Sequence, residues 1–356
     1  MTYPFLGDPA QYVGEWLRGT GPMVDVAVSS RVRLARNLAG IPFLSRCSVG
    51  QKRELETRLR REIAACPIAE KVFYIDISAS AEMDRRLLVE RHLISREHAE
   101  AEHPRGVAVS ADETIAIMVN EEDHLRLQVL RSGLQLLEAA QRIQQVDDSL
   151  EERLDFVFHS RYGYLTACPT NVGTGLRVSV MLHLPALKMT GEIEKAFRAA
   201  RDLQLAVRGL YGEGTEATGD FFQVSNQTTL GKKEQDIIEE FRQQIVPRFI
   251  DYERRAREGL LKRQNTALED KIFRSLALLR SARMIGSEET MYLLSLVRLG
   301  VSLEMIKDVD LRTVNELFLL TQPAHLQRML KREMDPQTRS VARAEYLRRR
   351  LGTTSS

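Results

Sequence analysis

Strand signals run through this sequence as far as about residue 232 and then stop, and that break limits the fold more than any other feature. Before it, β-branched and aromatic runs bounded by turn residues predict strands at Val24–Ser30, Lys71–Ser78, Gly106–Ser110, Thr114–Val119, Leu154–His159, Val178–Leu184, Gln204–Gly209 and Phe221–Asn226. Helical patterns lie between them. Ser48 and Gln51 carry the spacing of a capping box before a helix over Gln51–Ala65. After Glu122, Leu130, Leu134 and Leu137 recur at i, i+4 and i+7, which predicts a helix opened by the run Asn120–Arg126. Strands with irregularly placed helices predict an α+β fold rather than βαβ alternation.

Beyond the break the periodicity is helical. Lys233–Glu258 is amphipathic, with Pro247 predicted to kink or split it. Further helices are expected at Leu268–Ala282, Glu288–Leu299, Leu311–Leu320, Ala324–Glu333 and Gln337–Leu351, with Ser287 as an N-cap. The expectation is two domains: a mixed one over 1–255 and a small all-α one over 256–356.

Composition removes several function classes. Lys+Arg number 51 and Asp+Glu 49, so a net charge of +2 gives no general attraction to nucleic acid or membrane. The three cysteines, Cys47, Cys66 and Cys168, form no CxxC pair, which argues against a disulfide framework and for a reducing compartment. A basic-then-apolar leader is lacking, as is an apolar run of membrane-spanning length. A soluble cytoplasmic protein is expected.

The common phosphate motifs fail. The sequence has no GxxxxGK[ST] and no HRD…DFG set. Gly212–Ala217 fits GxGxxA formally but enters a Gly- and Thr-rich stretch instead of a helix. Cys168 has no assignable His partner for nucleophilic catalysis. Phosphate can instead be held by arginine, whose planar fork binds its oxygens in bidentate fashion. Four segments suit this. Ser29–Arg36 puts Arg31 and Arg33 on one side of a strand. Asn120–Arg126 places carboxylates at a strand's end. Cys168–Arg177 is a Pro-Thr-Asn and Gly-Thr-Gly loop before a strand. Arg208–Glu216 is a loop with one arginine and two acids. Taken singly, each also fits an ordinary solvated edge, helix start or turn.

Taken together, they resemble the phosphagen kinases, the family of arginine and creatine kinases. The resemblance covers about residues 24–255. It is carried by SSRVR, LVERHLIS (Leu88–Ser95), NEEDHLR, CPTNVGTGLR and RGLYGEGTE followed by SNQTTLG, in the family's order. It implies a phosphagen-kinase-type antiparallel sheet flanked by helices. It also implies that Arg31, Arg33, Arg126, Arg177 and Arg208 surround the phosphates of ATP, with His92 near the nucleotide. Ser29, Ser30, Val32, Val178, Ser179, Val180, Met181, Gly209, Leu210, Tyr211 and Gly212 would complete that site. Glu122 would hold a guanidinium, either deprotonating it or only orienting it, Glu213 would be the second acid, and Mg2+ would be carried by the nucleotide, with no protein metal site.

The sequence departs from the small-molecule members. Only 28 residues precede Ser29, where those kinases carry a helical domain that helps enclose the free substrate. An open site that admits an arginine displayed on a protein is therefore expected. With the added helical part, the chain resembles the bacterial protein arginine kinases. That branch implies protein substrates, stress response, an activator protein, Clp-type protease machinery and a homodimer. Its Arg-Asp-x-x-Arg-Ala motif for phosphoarginine is half matched by Arg339, Ser340, Arg343 and Ala344, with Ser340 replacing the acid.

The chemistry explains the residue types. A guanidinium has a pKa above about 12 and no free lone pair, so carboxylates must orient it and a proton must leave as the N–P bond forms. Three rivals stand beside this reading: a kinase for free arginine or another small guanidino compound, a catalytically silent phosphoarginine-binding adaptor, and a nucleic-acid binder using the C-terminal arginines. The last is disfavoured by net charge and by the lack of aromatic interleaving.

Overall fold

The computed structural model describes residues 14–210 and 218–352. The mixed region contributes strands β1 (Ala27–Arg36), β2 (Val72–Asp76), β3 (Gly106–Ser110), β4 (Ile115–Val119), β5 (Leu125–Ser132), β6 (Phe158–His159), β7 (Gly163–Tyr164), β8 (Leu176–His183), β9 (Leu205–Arg208) and β10 (Phe221–Asn226). Its helices are α1 (Val49–Ala65), α2 (Glu82–Glu90), α3 (Arg96–Glu100), α4 (Leu136–Glu151), α5 (Pro185–Met189) and α6 (Ile193–Asp202). The rest is helical: α7 (Glu234–Glu240), α8 (Val246–Ser281), α9 (Ser287–Ser302), α10 (Leu311–Leu320), α11 (Pro323–Met329) and α12 (Pro336–Leu351).

The main sheet has the order β2-β3-β4-β5-β1-β8-β10-β9, and the pairings are antiparallel. This is the expected α+β architecture. One face carries Val32, Leu34, Leu127, Val129, Val178 and Val180, all buried in the main core. The same core continues into Leu294, Val297, Leu317 and Phe318 of α9 and α10. The boundary at 255/256 lies inside α8, ahead of the kink at Gln264 (φ −141°, ψ 34°) that divides this helix.

Several sequence expectations need correction. The segment after Asn120–His124 is strand β5, and the helix starts only at Leu136. Leu125, Leu127 and Val129 alternate inward against Ile115, Ile117 and Val119, so a period of two outweighs the leucine spacing. Leu154–His159 yields only the two-residue β6. Gly286, not Ser287, is the N-cap of α9. The helix expected at Leu268–Ala282 is present, as the part of α8 that follows the kink at Gln264. Before Pro247 the helix widens into a π turn over Phe241–Ile245, which accommodates the proline without ending the rod. The capping box of Ser48 and Gln51 forms with both halves made, at 3.2 and 2.8 Å.

Candidate active site

Alternation along β1 decides the site. Val32 and Leu34 enter the core, so Arg31 and Arg33 stand on the other face. Register then gathers further arginines there. Arg33 lies opposite Arg177 on β8 and Gln128 on β5, Arg126 lies opposite Ala35, and Arg208 on β9 lies opposite Gln223 on β10. Over β2–β4 the same face is covered by α2 and the turn after it, where Phe73, Val107, Val109 and Met118 share a core with Leu87, Leu88 and Leu93. Over the arginines it opens into a cleft of about 810 Å³. Its lining includes all five arginines, His92, Ser95, Arg96, Glu121, Glu122, Leu210, Gln223, Gln227 and Thr228.

The arginines strain against one another. Burial, with repulsion from Arg126, Arg177 and Arg208, pulls Arg31 down to about 9, and burial with its neighbours' charges pulls Arg33 well below its ordinary value. Arg31 donates to Gln223 Oε1 at 2.8 Å and Arg177 to Ser225 Oγ at 3.2 Å. Among the described residues, buried Arg33 Nε has no hydrogen-bond partner. An orphaned donor beside crowded cations gains from an anion.

The hairpin between β4 and β5 supplies the acids. Asn120 turns the chain at φ 60°, and its side chain donates to Lys52 O at 2.8 Å and Pro104 O at 2.9 Å. Asp123 Oδ1 accepts from Asn37 Nδ2 and Ala167 N, both at 2.6 Å, and His124 Nδ1 accepts from Leu38 N at 3.0 Å. The tip is thus tied to the exit of β1 and to the loop before Cys168. Glu121, its side chain 4 % exposed, meets Arg126 at 2.6 Å. Burial alone would raise Glu121, but Arg126, Ser95 and a backbone amide outweigh it and hold the carboxyl down at about 2. Glu122 is exposed at the edge of the cleft.

His92 sits in the wall at φ 59°, edge-on to Trp16 with ring centroids 4.5 Å apart. Burial, then the charges of Arg31 and Arg96, push its imidazole down to about 3, so it is neutral at physiological pH. Cys168, Thr170 and Asn171 reach the cleft from a short 3-10 turn over Pro169–Asn171. Gly175 follows at φ 68°, and a Cβ there would meet Ala35 O at 2.6 Å, so only glycine lets this loop lie against β1.

The predicted residues divide. Arg31, Arg33, His92, Glu122, Arg126, Arg177, Arg208 and Leu210 meet in the cleft. Ser29, Ser179 and Met181 line a small adjoining cavity with Trp16 and His92. Val32, Val178 and Val180 turn their side chains into the core. The Ser30 hydroxyl donates to Gly133 O at 2.8 Å and accepts from Gln135 N at 2.9 Å. Gly209 is buried outside the cleft lining. Tyr211, Gly212 and Glu213 lie outside the described residues. Arg343 is buried and donates to Thr321 O at 2.8 Å and Ile285 O at 3.0 Å, while Arg339 donates to Met334 O at 2.7 Å. Ser340 bonds Pro336 O at 2.9 Å, and Ala344 is buried. In the sequence Glu121 was hidden within a run of three acids. Gln223 and Ser225 had a signal: polar residues alternating with Phe222 and Val224.

Comparison with known proteins agrees with this geometry. Residues 54–256 match the model of the ATP:guanido phosphotransferase C-terminal catalytic domain. The chain belongs to the ATP:guanido phosphotransferase family. Residues 265–356 match the model of the protein-arginine kinase McsB C-terminal domain. The chain is 50% identical over 339 residues to a protein-arginine kinase of Symbiobacterium thermophilum, covering 94% of this chain and 96% of that one. It is 43% identical over 341 residues to the protein-arginine kinase of Bacillus subtilis, covering 95% and 93%. Among solved structures, lombricine kinase superposes with a TM-score of 0.58 at 25% identity, covering 71% of each chain. The duplicated taurocyamine kinase of Schistosoma mansoni gives 0.60 at 26% identity, covering 70% of this chain and 35% of that one.

Proposed function

We propose that this chain is a protein arginine kinase, which moves the γ-phosphoryl group of ATP onto arginine side chains of proteins. The observation that carries the reading is the convergence of arginines from four strands on one cleft with an exposed glutamate at its edge. The relatives at 43% to 50% identity are named for that activity.

Arg31, Arg33, Arg126, Arg177 and Arg208 bind the phosphates, and the unpartnered Nε of Arg33 fits that role. Phosphoryl transfer requires in-line positioning and neutralised charge, which this set supplies. Mg2+ would be carried by the nucleotide and would add charge neutralisation there. Glu122 holds the planar guanidinium, with Glu213 as the second acid. One N–P bond forms, the bond from phosphorus to the ADP oxygen breaks, and one proton passes from the attacking nitrogen to a carboxylate or to water. Residues 1–255 serve as the catalytic part and 256–356 as a regulatory and dimerising part, with Arg339 to Ala344 as a phosphoarginine contact. Among the described residues no helix is long and apolar enough to cross a membrane. A cytoplasmic enzyme in protein quality control, with an activator and a Clp-type protease as partners, completes the proposal.

The test is incubation with Mg·ATP and an arginine-rich unfolded protein, with free arginine in parallel. An acid-labile phosphoramidate seen on the protein by phosphorus NMR supports the reading. Transfer to free arginine alone would overturn it in favour of a small-guanidino kinase.

A further inference from the structure

One wall of the cleft is the short segment between α2 and α3, and its outer side is held by the C-terminal helices. His92, Ser95 and Arg96 face the cleft. Glu90 and Arg91 face away from it. Glu90 accepts from the first amides of α11, Ala324 N at 2.8 Å and His325 N at 3.0 Å, and lies 2.6 Å from His325 Nδ1. Arg91, fully buried, forks onto Glu113 at 2.8 and 2.9 Å and presents Nη1 to His325 Nε2 at 3.3 Å. Arginine only donates, so His325 Nε2 accepts and Nδ1 carries the proton that goes to Glu90. Burial holds the His325 imidazole down, in keeping with that neutral tautomer.

Both hydrogen-bonding edges of one imidazole are therefore spent on two consecutive residues next to His92. The effect reaches further. The His92 carbonyl accepts from Gln128 at 2.8 Å, and Ser95 Oγ donates to Glu121 Oε1 at 2.6 Å, which in turn pairs with Arg126. A continuous bonded path runs from α11 to an arginine of the cleft.

We propose that His325 is a positioning residue for nucleotide binding: through Glu90 and Arg91 it fixes the wall that carries His92, Ser95 and Arg96. The inference rests on the cleft being the ATP site. It gives the helical C-terminal part a direct mechanical hold on that site, because a shift of α11 displaces the wall.

The chain supplies its own probe. Its single tryptophan, Trp16, touches His92, so its emission reports on the wall. The test compares the full-length wild type with His325→Phe, His325→Asn, which keeps a donor near Nδ1, and His325→Gln, which keeps an acceptor near Nε2. Leu347→Ala, a buried truncation in α12, controls for loss of stability. In His325→Phe the KM for Mg·ATP should rise about tenfold with kcat within about twofold, the pattern of lost ground-state binding. Trp16 emission should shift, Asn and Gln should fall between, and Leu347→Ala should lose melting temperature without moving KM. Unchanged KM and emission in folded His325→Phe would overturn the inference, as would an equal KM rise in Leu347→Ala. Should the Phe variant not fold, wild-type KM in both Asn and Gln has the same force. A wild type that binds no ATP on direct titration refutes the site assignment itself, a separate failure.

Discussion

Glu121 Oε2 lies 2.6 Å from Arg126 Nη1, across a hairpin tip whose next residue, Glu122, is exposed at the edge of the same cleft. Two adjacent glutamates thus have opposite circumstances. One is buried and neutralises an arginine. The other is exposed to solvent.

That difference separates their variants. Glu122→Gln keeps size and hydrogen bonding but removes the charge that would meet a guanidinium. Phosphoryl transfer should fall by about 10²–10⁴-fold. ATP affinity from calorimetry should change by less than about threefold, since in the proposed function its phosphates are held by arginines and not by Glu122. Lost nucleotide binding would sink the role given to Glu122.

Glu121→Gln should act on stability, with a defined pH dependence. Its carboxyl is held at about 2 in the fold, below its unfolded value near 4.3. A depressed folded pKa stabilises above the unfolded pKa, and that contribution is lost as pH falls towards the folded one. The contribution is roughly 3 kcal/mol at neutral pH. Urea unfolding should show the wild type well ahead of Glu121→Gln at pH 7 and the gap closing between about pH 4.5 and 2. A constant gap across that range would contradict the assignment.

Arg33→Met should move stability and binding in opposite directions. Arg33 is charged at a cost, through burial and the repulsion of Arg31, Arg126 and Arg177. Removing the charge should raise the melting temperature of the free protein. It should also weaken ATP binding by about 10- to 100-fold, the worth of a charge-assisted contact. A melting temperature that falls would show that Arg33 is structural.

Arg298 joins the C-terminal helices to the sheet. It is fully buried and donates to Val24 O at 2.6 Å, Asp25 O at 3.1 Å and Asn315 Oδ1 at 3.1 Å, with His183 Nδ1 at 3.0 Å. Arg298→Met strands those acceptors and should cost about 3 kcal/mol in urea unfolding. A shift under about 0.5 kcal/mol would mean that water replaces the guanidinium.

The strand pattern, the helical C-terminal part and the arginine set were legible because they depend on local periodicity and residue type. Phe221–Asn226 and Leu311–Leu320 have the bounds expected of them. The hairpin at Asn120 was not legible, because leucines spaced for a helix face also fit a strand when the neighbouring strand is unknown. Nor was the split between Glu121 and Glu122, since three acids in a row carry no sign of which one turns inward.

The sequence by itself determined which groups are available: arginines to hold phosphate, carboxylates to meet a guanidinium, and apolar alternation to bury one face of a sheet. Tertiary structure alone decided which of them meet. Arg31, Arg126, Arg177 and Arg208 come together only through strand register, and His325 reaches the cleft wall only because α11 docks on Glu90. Register and docking depend on contacts between residues far apart in the chain, and no local pattern encodes them.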